Sequence, residues 1–313
     1  MKFFIQHAVV TLENKLITLT LLLALSLFAF SLPVLAQEIA APADLDGDGW
    51  TDVAVYETAA GNWFVIGSEV GFAGQLAFGG PNYIPVPGDY DGDGQTDTAV
   101  YDSTAGHWFI DQTTAGFRIN ANFGGPGYVP VPGDYDGDGW TDIAVYQPAT
   151  GHWFFVGSNT GFGSVLSFGG PNYIPVPDDY DGDGRTDPAV YDANAGHWFI
   201  AQSSAGFRIN ANFGGAGYFP VPGDYDGDGW TDIAVYQPAT GHWFFVGSNT
   251  GFGSVLSFGG PNYAPVPGDY DGDRQTDPTV YDTTAGHWFI AQTSAGFRIQ
   301  PNFGGTGFVP VIP

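Results

Sequence analysis

The chain has 313 residues, with no cysteine, 48 Gly, 23 Pro and 16% aromatic residues. Seven Lys and Arg stand against 33 Asp and Glu, a formal net charge of −26 at pH 7. Nucleic acid and anionic membrane surfaces are excluded as partners, because both call for clustered Lys and Arg; disulfide staples and thiol chemistry are excluded with the cysteines.

The N-terminus carries Lys2 and Lys15, an apolar run over residues 16–30, and then Ser31-Leu-Pro-Val-Leu-Ala36-Gln37. Val34 and Ala36 suit cleavage after Ala36, so residues 1–36 are expected to be a signal peptide and the protein to be secreted or held at the cell surface. An uncleaved anchor is the alternative, but the run falls short of the about 20 residues that a span needs. Residues 37–313 are expected to form a single domain. That remainder holds five Arg, no Lys and 32 acidic side chains.

The first acidic loop is Asp44-Leu-Asp46-Gly-Asp48-Gly-Trp50-Thr-Asp52, and it returns at 89–97, 134–142, 179–187, 224–232 and 269–277, always 45 residues on. Each loop places Asp at positions 1, 3, 5 and 9. Two carboxylates about 4 Å apart repel by roughly 4 kcal/mol at an effective dielectric near 20, and a divalent cation turns that repulsion into attraction. Oxygen donors without His or Cys favour calcium over zinc or copper. Up to six Ca²⁺ ions are therefore expected.

The proposed side-chain ligands are Asp44, Asp46, Asp48 and Asp52; Asp89, Asp91, Asp93 and Asp97; Asp134, Asp136, Asp138 and Asp142; Asp179, Asp181, Asp183 and Asp187; Asp224, Asp226, Asp228 and Asp232; and Asp269, Asp271, Asp273 and Asp277. Glycine at position 4, and at position 6 of the first five loops, lets the backbone curl through positive φ. The position 7 carbonyl of Trp50, Gln95, Trp140, Arg185, Trp230 or Gln275 is then expected to face inward as a further ligand. Arg274 replaces the second glycine of loop six and makes it the weakest site. An EF-hand needs a Glu at position 12 and flanking helices. Position 12 is Val here, and strand-like sequence follows.

These loops resemble the calcium-binding repeats of the integrin α-chain propeller and of bacterial FG-GAP/VCBS repeat proteins. The likeness lies in the Asp-x-Asp-x-Asp-Gly-x-x-Asp pattern and in Phe78-Gly79-Gly80-Pro81 with its copies at Phe168 and Phe258. It implies that these aspartates are calcium ligands and that the protein serves adhesion or lectin-like recognition. The repeat is shorter than the integrin one.

In the third repeat, residues 143–146, 153–156, 162–168 and 173–177 are short β-rich runs separated by Gly, Pro and Asn turns. Four strands per 45 residues predict an all-β, six-bladed β-propeller of four-stranded blades, with repeats beginning near 38, 83, 128, 173, 218 and 263. An open solenoid is the rival. Residues 38–43 and 308–313 both align with the first-strand position; the C-terminal segment is expected to close the ring on the first blade. Trp63, Trp108, Trp153, Trp198, Trp243 and Trp288 read as core. His107, His152, His197, His242 and His287 read as turn or surface residues.

Residues 131–173 and 221–263 are identical, so the larger unit is a 90-residue pair present three times. A catalytic centre needs unlike groups converging once. Asp102, Asp192 and Asp282 recur threefold without a visible second carboxyl for glycoside hydrolysis. The expectation is a non-catalytic recognition module for an extracellular protein or glycan, the alternative a carbohydrate-active enzyme or its accessory module. Trp50, Trp140 and Trp230, unique to the odd loops, are candidate ligand-binding residues if they face outward; the other reading packs each on a neighbouring loop.

Overall fold

The computed structural model describes residues 43–68, 73–120, 122–161, 163–210, 212–251 and 253–312. The expected signal peptide lies outside the described residues. Within the compact unit Ile39–Pro313 the described elements are strands, arranged as six four-stranded antiparallel sheets.

The second blade shows the pattern. Its strands Tyr83–Pro85, Thr98–Asp102, His107–Gln112 and Gly116–Asn120 pair in sequence order. The first strand is short because Pro85 and Pro87 offer no amide to a ladder; it sits at the end of the sheet, where only one side needs pairing. The second strand is the most buried, Ala99, Val100 and Tyr101 being almost wholly covered. The fourth is an exposed edge, with Phe117 and Ile119 more than half exposed.

The first blade takes its first strand from the far end of the chain. Phe308–Pro310 pairs antiparallel with Val53–Glu57, in the register Glu57↔Phe308 and Val55↔Pro310. The ring is therefore closed and no solenoid. Each hydrophobic cluster spans a blade junction: Val53 and Val55 of blade one pack with Val266, Tyr270, Tyr281, Trp288 and Ile290 of blade six. The same arrangement joins Tyr101 and Trp108 of blade two to Ile143 and Val145 of blade three. The six repeat tryptophans are all fully buried. In five of the six blades the indole N–H donates to a backbone carbonyl: Trp63 Nε1 to Phe78 O at 2.9 Å, Trp108 to Phe123 O at 3.1 Å, Trp153 to Phe168 O at 3.3 Å, and Trp198 and Trp288 to Phe213 O and Phe303 O at 3.2 Å.

Candidate metal centre

Each acidic loop leads into the second strand of a blade, and in blades two to six it joins that strand to the first; its aspartates play different parts. In loop four, Asp179 turns inward on its own backbone: Oδ1 accepts from Gly182 N at 2.7 Å and Oδ2 from Gly184 N at 2.8 Å. Those amides are presented because Gly182 and Gly184 take φ of 70° and 82°. At position 9, Asp187 Oδ2 accepts from Tyr180 N at 3.0 Å and Oδ1 from Ser203 N at 2.6 Å, which ties the loop to the turn between the third and fourth strands. At position 5, Asp183 accepts from Arg185 N at 3.0 Å and from the Ser203 hydroxyl at 2.7 Å.

Asp181 at position 3 differs. Its Oδ2 accepts from Ser204 N, Ser204 Oγ and Ala205 N at 2.8–3.0 Å. Its Oδ1 is buried and has no hydrogen-bond partner, and the same holds for Oδ1 of Asp91, Asp136 and Asp271. A buried carboxylate oxygen left without a partner costs free energy. One oxygen each of Asp179, Asp181 and Asp187 lie within 4.8 Å of one another, as do those of Asp89, Asp91 and Asp97, of Asp134, Asp136 and Asp142, of Asp224, Asp226 and Asp232, and of Asp44, Asp46 and Asp48. Hard oxygen donors converging on a point that an orphaned anionic oxygen faces fit a hard divalent cation, and these clusters could hold one.

The electrostatics agree. Burial pushes the position 9 carboxyls up to about 7 in Asp52, Asp97, Asp142, Asp187 and Asp277, and to about 6 in Asp232. Repulsion from the position 3 carboxylate adds to the rise, while the backbone amides oppose it. Asp134 at position 1 is likewise raised to about 6 by burial. Without a counter-charge these carboxyls keep their protons to higher pH than ordinary aspartates do.

The six loops form a continuous ring. Thr N at position 8 of each loop donates to the position 1 Asp carbonyl of the loop before: Thr96 to Asp44, Thr141 to Asp89, Thr186 to Asp134, Thr231 to Asp179, Thr276 to Asp224 and Thr51 to Asp269, at 2.6–2.8 Å. The position 7 side chain follows the same path. Gln95 reaches loop one, donating from Nε2 to Leu45 O at 2.7 Å. Trp140 lies against Gly92, Trp230 against Gly182 and Trp50 against Gly272, so closely that a Cβ on any of these glycines would overlap the indole. Each of these indoles therefore rests on the preceding loop, while Trp230 keeps 39% of its surface exposed. Position 8 is anchored to the preceding loop by its amide, and that bond carries the adjoining side chain onto the same loop.

The family description "FG-GAP repeat" matches residues 126–167 and 216–257, which cover blades three and five with their acidic loops. This chain carries FG-GAP repeats. Among solved structures it is similar to an Agrocybe aegerita lectin described by its specific recognition of non-reducing terminal N-acetylglucosamine, at 18% identity and a TM-score of 0.56, over 83% of this chain and 79% of the lectin. It is also similar to a streptogramin B lyase, at 12% identity and a TM-score of 0.54, over 85% of each chain. At these identities the likeness extends to the fold. No curated protein sequence matches this one.

The Phe-Gly-Gly segment that follows the outer strand has a defined task. Tyr56 Oη donates to Gly80 O at 3.1 Å and accepts from Gly80 N at 2.8 Å. A Cβ on Gly79 would overlap that hydroxyl. Tyr101, Tyr146, Tyr191, Tyr236 and Tyr281 repeat the contact. Sequence reasoning missed this tyrosine, whose signal was its fixed place two residues before the turn that opens the third strand.

Three carboxylates outside the loops, one in each even blade, are held by their own turns. Asp102 accepts from Thr104 N, Thr104 Oγ1 and Ala105 N, which hold its carboxyl below the usual range. Asp192 and Asp282 cap the equivalent turns. His152 and His242 bond the neighbouring threonine hydroxyls at 2.8 and 2.7 Å.

Proposed function

We propose that this FG-GAP propeller is an exported calcium-binding protein acting as a non-catalytic recognition or adhesion module for an extracellular protein or glycan. The observation that carries the calcium reading is the orphaned Oδ1 of Asp181, buried among the Asp179 and Asp187 oxygens. Calcium, when bound, supplies positive charge that offsets clustered carboxylates and links the blade's hairpins through a common centre. The aspartates at positions 1, 3, 5 and 9 would hold it, with one anionic oxygen each.

Export is supported by the leader-like sequence of residues 1–36 and by a fold without disulfides that metal can brace. Weak extracellular calcium sites work in the millimolar range. The recognition reading is supported by the absence of a unique polar centre among the described residues: Asp102, Asp192 and Asp282 are engaged in turns, and every loop recurs six times. The lectin similarity is compatible with a glycan and says nothing of which one.

Calcium titration by calorimetry on the mature chain tests the metal reading, with about six equivalents expected. Binding of no calcium removes it. A glycan array and a polysaccharide hydrolysis screen, the latter with Asp192→Asn alongside wild type, test the second half. Hydrolysis lost in Asp192→Asn would replace recognition by catalysis.

A further inference from the structure

We propose that Trp50, Trp140 and Trp230 are lids on the metal loops of the preceding blades, dividing the six loops into three capped sites, in loops two, four and six, and three uncapped ones, in loops one, three and five. The inference rests on the calcium reading and adds a division within it.

Each lid has a shelf made for it. Gly92, Gly182 and Gly272 take φ of 73°, 70° and 73°, and the indole Nε1 edge of Trp140, Trp230 and Trp50 fills the space a side chain would occupy. The uncapped loops meet smaller or polar groups at the same place. Gln95 comes only to van der Waals contact with the Gly47 shelf, at 3.5 Å, and Gln275 and Arg185 occupy the shelves of Gly227 and Gly137. Arg185 brings a positive charge to loop three, which opposes a cation there.

Burial of the position 3 aspartate is deepest in two of the capped loops. Asp91 and Asp181, at position 3 of capped loops, are only 9% and 8% exposed. Asp271 of capped loop six is half-buried, as are Asp46 and Asp136 of uncapped loops, and Asp226 is exposed. Oδ1 of the position 3 aspartate is buried without a hydrogen-bond partner in Asp91, Asp181 and Asp271 of the capped loops and in Asp136 of uncapped loop three. The turn facing the capped loops closes tightly on the other oxygen: Thr114 and Ala115 on Asp91, Ser204 and Ala205 on Asp181, Ser294 and Ala295 on Asp271. Arg274 does not disturb this in loop six, because it takes φ of 69° and its amide still donates to Asp269 Oδ2 at 2.8 Å.

The bulky indole ring seated on the loop keeps water from one side of it. Carboxylates that cannot be rehydrated cannot readily release a cation, so the capped sites exchange metal slowly. Gln and Arg side chains admit water and do not slow release.

Stopped-flow release of bound calcium into a fluorescent calcium chelator provides the test, because the chelator counts every ion equally whether or not a tryptophan lies beside it. The full mature chain should release metal in two phases of equal amplitude, the slower by about tenfold or more, the scale on which groups supporting metal ligands act. The triple variant Trp50→Gln, Trp140→Gln, Trp230→Gln uses the residue found at positions 95 and 275. It should bind the same number of ions with the slow phase abolished. Gln95→Trp should move one sixth of the amplitude from fast to slow. A single phase in wild type, or two unchanged phases in the triple variant, overturns the lids while leaving calcium binding intact. Absence of any bound metal overturns both.

Discussion

The amide of Thr51 donates to the carbonyl of Asp269 at 2.7 Å, the same bond that joins each other pair of neighbouring loops. On the loop side, therefore, the ring has no seam. The seam is closed on the sheet side by Phe308–Pro310, whose pairing with Val53–Glu57 completes blade one. Beyond that strand Val311 is 3% exposed, and its amide donates to Ala54 O at 2.9 Å.

Deleting residues 306–313 is expected to lower the melting temperature by at least about 5 °C. Burying one Val is worth about 1.5–3 kcal/mol, and about 1 kcal/mol moves the melting point of a chain of this size by roughly 2–4 °C. Thermal melts of the truncated and full chains, both in calcium, check it. Equal melting points would show that the loop ring alone holds the propeller shut.

The period and its contents were legible in the sequence because a ring of near-identical blades leaves nearly every structural demand visible six times. Four β-rich runs per 45 residues announced the blades, and Asp at four fixed positions announced the loops. What was not legible is what happens between repeats. Nothing in Trp140 itself says that its indole turns back onto Gly92, since the bond that directs it, Thr141 N to Asp89 O, joins residues of different blades. The Tyr101 hydroxyl on Gly125 N escaped for the same reason: the two are distant in sequence, and a tyrosine in a strand looks like ordinary core.

Gly124→Ala and Gly94→Ala should separate crowding from backbone strain. Both glycines have positive φ, 103° and 89°, so both substitutions incur a left-handed penalty of about 1–2 kcal/mol. A Cβ at Gly94 meets nothing within 4 Å, whereas at Gly124 it overlaps the Tyr101 hydroxyl and lies 3.1 Å from Val145 Cγ1. Gly124→Ala is expected to cost about 2–3 kcal/mol more than Gly94→Ala in urea unfolding with calcium present, within the range for overpacked sites. Loop six already tolerates Arg at the position equivalent to Gly94. Equal losses would mean that the Tyr101 side chain simply moves aside.

Asp181→Asn tests the orphaned oxygen. The amide oxygen of Asn can still accept from Ser204 and Ala205, so the turn should be kept. Calorimetry should lose one calcium equivalent, and the melting point should fall relative to wild type in calcium but rise or hold in chelator, where a buried negative charge has been removed. A fall of equal size under both conditions would make Asp181 a structural residue only.

The response to pH should change sign with metal. In the metal-free chain, Asp52, Asp97, Asp142, Asp187 and Asp277 are pushed up to about 7 by burial, from an ordinary value of 3.8. Between about pH 4 and pH 7 the folded state then binds more protons than the unfolded one, and stability must fall as pH rises through that window. The stabilising contribution is fully present below pH 4 and lost once the folded-state carboxyls ionise. With calcium the dependence turns round, because the ion takes the place of the protons and binds the ionised carboxylates, so raising the pH favours the loaded fold. Melting curves at pH 5 and pH 8, in chelator and in millimolar calcium, should cross: the chelated protein melts lower at pH 8, the loaded protein lower at pH 5. Parallel trends in the two series would mean that protons and cation do not compete for the same carboxylates, and the loops would have to be neutralised by something other than a metal ion.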